Sequence, residues 1–119
     1  MYRQNKRKVG NEKELLAGAF LEEKGYQILQ YNYFARNGEI DIVARKDGYL
    51  VFVEVKYRKS AQNGLPEEAI DYKKMLHMTK TAQYYMLCHG YGEDTPCRFD
   101  VVVILDNQFR LIEDAFDAV

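Results

Sequence analysis

Residues with a strong preference for β-strands are concentrated in two neighbouring runs, residues 40–45 and 50–57. Asp47 and Gly48 lie between these runs, and Asp-Gly is a preferred pair for the two-residue type I′ turn of a β-hairpin. Apolar side chains occupy both sets of alternating positions in these runs, and therefore both faces of each predicted strand. This is typical of strands that are covered on both faces. The pattern therefore predicts a hairpin close to the centre of a sheet.

Apolar spacing elsewhere in the chain predicts two helices and three further strands. The predicted elements, in chain order, are a helix at 11–24, strands at 26–34, 39–46 and 49–58, a helix at 67–88, and strands at 99–105 and 109–112. The first helix is expected to pack through Leu15, Leu16, Ala19 and Phe20. The second helix is expected to pack through Met75, Met78, Ala82, Tyr85 and Met86.

The order αβββαββ predicts an α/β fold with a central mixed sheet flanked by helices. The second helix acts as a crossover, so the strand at 99–105 should return parallel to a central strand. One helix is expected on each face of the sheet. At 119 residues the chain is expected to be a single domain, residues 1–119, with residues 1–9 as a mobile basic arm.

The hairpin register places chemically active side chains together. With Lys46 paired to Tyr49, Asp41 falls opposite Glu54 and the alternation puts Lys56 on the same face. Two opposed carboxylates repel, and a divalent cation between them reverses the sign of that interaction. Spacing alone leaves two interpretations equally open, a metal or catalytic site and a structural ion-pair cluster.

The sequence resembles the YraN-like family of small bacterial proteins along nearly its whole length. The resemblance is carried by residues 38–45 (GEIDIVAR) and 51–58 (VFVEVKYR), and by shorter matches at Glu14, Lys73 and residues 98–102. That family is grouped with the PD-(D/E)xK nucleases of restriction-endonuclease-like fold, and it is similar in size and motif order to Holliday-junction resolvases. Ile40 stands where the superfamily motif has proline.

The resemblance implies a role for each residue of the motif. Asp41, Glu54 and the backbone carbonyl of Val55 are the expected ligands of Mg²⁺ or Mn²⁺, which prefer hard oxygen donors. Lys56 is expected to orient the attacking water and offset charge on the phosphate. Glu14 is either a further ligand or an exposed helix glutamate. Glu39 is expected to support Lys56, the alternative being a plain carboxylate at the end of a turn.

Basic residues outside the motif could contact nucleic-acid phosphates. Lys73, His77, Lys80 and Tyr84 share one face of the second helix, opposite its methionines. The expected nucleic-acid contacts are Arg36, Arg58, Lys59, Lys73, His77 and Lys80. For any one of them except Lys73, a solvated surface position is the simpler interpretation. The ten tyrosines are assigned no role.

Charge and cysteine content limit the classes of function. The net charge of −1 argues against a general electrostatic nucleic-acid binder, although residues 1–80 are net basic and residues 81–119 net acidic. No apolar run is long enough to span a membrane, and no secretory signal is expected. Cys88 and Cys97 are typical of reduced thiols in a cytoplasmic protein. The His and Cys residues lack the paired spacing of a zinc site.

Together these features predict a cytoplasmic, Mg²⁺- or Mn²⁺-dependent DNA endonuclease without a small-molecule cofactor. By analogy with resolvases, its substrate would be structured or branched DNA, and a two-fold junction would favour a homodimer. The alternatives are a nucleic-acid-binding module without cleavage and a structural domain whose carboxylates only bind metal.

Overall fold

A computed structural model describes residues 12–58 and 70–119. In these ranges the chain forms two helices and five strands. They are α1 (Glu12–Glu23), β1 (Gln27–Ala35), β2 (Gly38–Lys46), β3 (Tyr49–Arg58), α2 (Tyr72–Cys88), β4 (Cys97–Leu105) and β5 (Gln108–Phe116). The expected arm at 1–9, the start of the second helix at 67–69 and Lys59 lie outside the described residues. The last strand is longer than predicted.

The five strands form one mixed sheet in the order β1-β2-β3-β4-β5. Neighbouring strands are antiparallel except for β3 and β4, which are parallel. The predicted crossover through α2 is therefore confirmed, and it returns the chain beside the central strand. This five-stranded mixed sheet with two helices fits the predicted restriction-endonuclease-like fold.

The β2–β3 hairpin has the predicted turn and register. Asp47 and Gly48 both have left-handed φ angles, 52° and 85°, as a type I′ turn requires. The paired positions run from Lys46–Tyr49 inward to Ile42–Val53. A turn of fixed length and handedness therefore sets which side chains of the two strands meet.

Two hydrophobic clusters cover the two faces of the sheet. One packs α1 against side chains of β2, β3 and β4, including Ile42, Val51, Val53 and Val102. The other packs α2 against Ile40, Val43, Phe52, Phe99 and Phe116. The second helix buries the predicted stripe, with Met78, Ala82 and Tyr85 at its centre. A helix on each face is thus confirmed.

The predicted packing face of α1 is wrong except for Phe20, which packs against the core. Leu15 and Leu16 are 47% and 50% exposed, and the helix packs instead through Ala17, Gly18 and Leu21. Small residues let α1 approach closely, since a Cβ added at Gly18 would lie 2.0 Å from the Tyr31 hydroxyl oxygen. The buried face of α1 therefore includes the side of the helix that carries Glu14, three residues before Ala17.

Candidate active site

Asp41 lies where the backbone pairing of β2 with β3 ends. The register would place it opposite Glu54, but the paired positions stop at Ile42–Val53. The backbone N–H of Val55 donates instead to Oδ2 of Asp41, at 2.8 Å. Ile40 also packs in the same cluster as Val43 rather than with Ile42, so the strict alternation of β2 is broken at Asp41. The side chain thereby takes over a hydrogen bond of the sheet.

Glu54 is a nearly buried carboxylate held between two lysines. Its Oε2 lies 3.3 Å from Nζ of Lys56, two residues along β3, and 3.3 Å from Nζ of Lys74 on α2. Glu54 and Lys56 follow Phe52 at alternate positions of β3, on the face covered by α2. Its other oxygen, Oε1, is buried and has no hydrogen-bond partner among residues 12–58 and 70–119. The lysines thus neutralise one end of the carboxylate only.

The half-buried Asp41 carboxyl is strongly biased towards its protonated form. Burial, together with the negative charges of Glu54, Glu39 and Glu14, raises its pKa to about 8. The hydrogen bond from Val55 acts in the opposite direction because it stabilises the carboxylate. A neighbouring cation would favour the ionised form and so lower the pKa of this carboxyl.

Glu14 approaches this group from the opposite face of the sheet, on α1. Burial raises the pKa of Glu14, and the charges of Glu39 and Glu54 raise it further. Its Oε1 is also buried without a hydrogen-bond partner in the described ranges. The structure thus brings Glu14, Glu39, Asp41 and Glu54 close enough to affect one another electrostatically. Glu14 is thus part-buried, and its role as a metal ligand stays a prediction.

Lys74 is a site residue that the sequence analysis missed in favour of its neighbour Lys73. Lys73 is exposed, whereas Lys74 is part-buried and reaches Glu54. The sequence contained an indication of this placement. Lys74 stands four residues before the buried Met78 and so lies on the packed side of α2. Lys73 lies well away from that side.

The structure places the expected nucleic-acid contacts on more than one element. Arg36, Lys73, His77 and Lys80 are exposed, and the last three lie along α2. Gly38, at the start of β2, lies beside His77, because a Cβ added there would be 3.7 Å from the His77 Cβ. Arg58 is part-buried at the end of β3 and donates to the Tyr57 carbonyl at 2.8 Å. Lys59 lies beyond the described residues.

A second buried polar cluster, also missed, lies nearer the start of β3 and β4. Asp100 is fully buried, and its two oxygens accept from the Tyr26 hydroxyl at 2.7 Å, the Arg98 guanidinium at 3.1 Å and the Asp114 backbone N–H at 2.9 Å. Burial, followed by the hydrogen bond to Asp100, raises the pKa of Tyr26. Every partner of Asp100 comes from the protein itself. This cluster therefore serves to join β4, β5 and the start of β1.

Comparisons with known proteins place the chain in a family. The profile of "Uncharacterised protein family UPF0102" matches residues 13–104. A UPF0102 protein of Lachnoclostridium phytofermentans is 58% identical over 114 residues, which cover 96% of this chain and 97% of the relative. UPF0102 proteins of Caldicellulosiruptor bescii and Persephonella marina are 45% and 43% identical, covering 94% and 91% of this chain and 99% and 92% of the relatives.

Proposed function

Since the chain belongs to the UPF0102 family, the YraN-like resemblance is confirmed, and for this member we propose a divalent-metal-dependent DNA endonuclease. The enzyme would hydrolyse phosphodiester bonds in structured or branched DNA during repair or recombination, in the cytoplasm. No helix of the described ranges is long and apolar enough to cross a membrane. The proposal rests on the carboxylates around Asp41.

The single observation that supports it most is the pair of buried oxygens without partners. Oε1 of Glu54 and Oε1 of Glu14 are buried without a hydrogen bond in the described part of the chain. Leaving a buried acceptor unsatisfied costs about 1–3 kcal/mol, and more when the group is charged. A folded protein keeps such a cost where the group has a function. A divalent cation is a partner that an unpaired carboxylate oxygen of this kind can bind.

These residues fit Mg²⁺ or Mn²⁺ by chemical type, because all of the donors are hard carboxylate oxygens. Among residues 12–58 and 70–119, no three His, Cys, Asp or Glu side chains already converge as a metal-binding group. Glu14 and Glu54 are both long side chains, so a rotamer change in either can bring its unpartnered oxygen towards Asp41. Asp41 and Glu54 are the proposed direct ligands, with Glu14 and the Val55 carbonyl completing the set.

A metal ion bound there would supply Lewis acidity to the scissile phosphate and to the attacking water. Lys56 would place its ammonium group beside the phosphate and offset the charge that develops on it. Lys74 holds the Oε2 end of Glu54 and leaves the other oxygen for the metal. Glu39 adds negative charge that favours cation binding at Asp41.

A non-catalytic nucleic-acid-binding module is the second candidate, and the two lysine contacts of Glu54 favour it. A carboxylate that already pairs with Lys56 and Lys74 is neutralised without any metal. In that case the cluster would be a structural ion-pair network, and DNA binding would depend on the exposed cations alone.

The test is cleavage of plasmid, flapped and four-way-junction DNA with Mg²⁺ or Mn²⁺. We expect the wild-type protein to cleave and Asp41→Asn and Lys56→Ala to lose activity. Asp47→Asn is the matched control, since it removes an exposed aspartate of the same hairpin and Asn-Gly keeps the type I′ turn. Junction binding without cleavage by any variant would favour the binding module. Equal cleavage by all variants would indicate a contaminating nuclease and contradict the assigned site.

A junction with two-fold symmetry presents two equivalent scissile bonds, so we also propose that the active form is a homodimer. Sedimentation of the protein with and without a four-way junction would test this. A 1:1 complex of protein and junction would contradict it.

A further inference from the structure

Two aromatic rings are exposed beside a cleft between the β1–β2 turn and α2. The cleft has a volume of about 480 Å³ and is lined by Phe34, Ala35, Arg36, Asn37 and Tyr84. Phe34 is 49% exposed and Tyr84 is 51% exposed. This volume is within the range of about 300–1,000 Å³ that accommodates organic ligands.

The charge of this cleft is positive. Hydrogen bonding to the Cys88 thiol raises the pKa of Tyr84, and the positive charge of Arg36 lowers it. Arg36 and Tyr84 also line the cleft together, so the guanidinium lies near Tyr84. Lys80 precedes Tyr84 by one helical turn and is exposed on the same side of α2. A second cavity of about 480 Å³, on another side of α2, is lined by Glu93 and by no lysine or arginine of the described residues.

The cleft lies close to the carboxylates along the chain. Gly38 follows Asn37 directly and begins β2, and Asp41 stands three residues further on. At roughly 3.3 Å per strand residue, the distance along β2 from Gly38 to Asp41 is about 10 Å. One DNA strand could therefore reach both places.

Exposed aromatic rings with adjacent cations are the chemistry by which proteins hold unpaired nucleotides. We propose that the cleft binds an unpaired nucleobase of DNA, stacked on Tyr84, with Arg36 and Lys80 on the flanking phosphates. This inference rests on the proposed function and defines its substrate class. The enzyme would cut DNA that carries unpaired nucleotides close to the scissile bond.

The test uses an oligonucleotide with 2-aminopurine in an unpaired flap, and the same label within a full duplex. Binding is measured in EDTA, so that no cleavage is involved, by base fluorescence and by anisotropy. We expect the wild-type protein to quench the flap label and not the duplex label. Tyr84→Ala should weaken flap binding by roughly 5- to 100-fold and remove the quenching. Tyr84→Phe should retain both, because the ring remains.

Leu87→Ala is the matched control, since Leu87 is exposed on the same helix and lines the other cavity. Binding of the flap without quenching, or equal loss in Tyr84→Ala and Leu87→Ala, would overturn the stacking site. Failure to bind either DNA would overturn it together with the proposed function. Quenching and binding that persist in a protein unable to cleave with Mg²⁺ or Mn²⁺ would support the stacking site while contradicting the nuclease.

Discussion

At the scale of single residues, Asp41 is the group whose environment departs most from that of an ordinary strand carboxylate. Its pKa is raised to about 8 by burial and by three neighbouring carboxylates. In the unfolded chain the same group titrates near 3.9. The folded state therefore holds a proton between about pH 4 and 8 that the unfolded state releases.

This difference predicts that unfolding free energy falls as pH rises between about 4 and 8, in the absence of metal. The folded state binds more protons in this range, so the slope from Asp41 is negative and at most about 1.4 kcal/mol per pH unit. Asp41→Asn should flatten the dependence while keeping an acceptor for the Val55 N–H. Urea unfolding of both proteins at several pH values measures the pH dependence of the unfolding free energy. Identical slopes in both proteins would contradict the assignment.

Added metal should act on the same residues. A ligand that binds only the folded state stabilises it by about 2.7 kcal/mol at 100 times its Kd. We expect Mg²⁺ or Mn²⁺ to raise the Tm of the wild-type protein and to have little effect on Asp41→Asn or Glu54→Gln. The Asp47→Asn variant should respond like the wild type. A shift of equal size in all four proteins would indicate binding elsewhere.

At the scale of elements, the sequence predicted the structure correctly where local chemistry fixes the geometry, and incorrectly where it does not. The turn of the β2–β3 hairpin, and its register as far as Ile42–Val53, were predicted correctly because Asp47 and Gly48 allow one turn type, whereas the predicted pairing of Asp41 with Glu54 does not form. The face of α1 was predicted wrongly because Leu15 and Leu16 outweigh Ala17 and Gly18 in apolar character. Close approach to Tyr31 selects the small residues, and that contact is not visible in the helix sequence.

The close contact of α1 with β1 predicts an unusual effect of Gly18→Ala. In an open helix this change stabilises by about 1 kcal/mol. Here the new methyl group would meet the Tyr31 ring, so we expect destabilisation by about 1–3 kcal/mol. The double variant Gly18→Ala with Tyr31→Phe removes the nearest atom and should recover part of the loss. Urea unfolding tests it, and a stabilised Gly18→Ala protein would contradict the packing.

Adjacent lysines of α2 provide a matched pair for separating chemistry from DNA affinity. Lys73→Ala should weaken DNA binding and reduce the salt dependence by about one phosphate contact, leaving the metal response intact. Lys74→Ala should alter cleavage and the metal response, because Lys74 contacts Glu54. Salt titrations and Tm shifts measured on both variants distinguish the roles. Indistinguishable variants would contradict the different placement of the two side chains.

At the scale of the whole molecule, polar groups are buried at two separate places in one sheet. Around Asp100 every acceptor is satisfied by Tyr26, Arg98 or the Asp114 backbone. Oε2 of Glu54 is paired with Lys56, whereas Oε1 has no hydrogen-bond partner among the described residues. The sequence could not predict the first cluster because Tyr26 and Asp114 lie 74 and 14 residues from Asp100. Sheet order alone brings them together.

Removing part of the Asp100 cluster should therefore affect stability rather than the proposed activity. Asp100→Ala leaves the Arg98 guanidinium without its buried partner, and breaking such a pair costs about 3–5 kcal/mol. Glu54→Gln should cost less, because both lysines are partly solvated. Unfolding of the two variants in urea gives the comparison. A larger loss in Glu54→Gln would reverse the assignment of the two clusters.

The parallel pairing of β3 with β4 also has a kinetic consequence. Parallel neighbours meet only after the chain of the crossover has closed on itself, whereas the β2–β3 hairpin needs a loop of two residues. We expect the hairpin to form early in folding and α2 to dock late. Asp41 and Glu54 would then meet before Lys74 arrives, and their repulsion would act on the folding nucleus itself. The folding rate of this small protein should therefore depend on the ionic strength of the buffer.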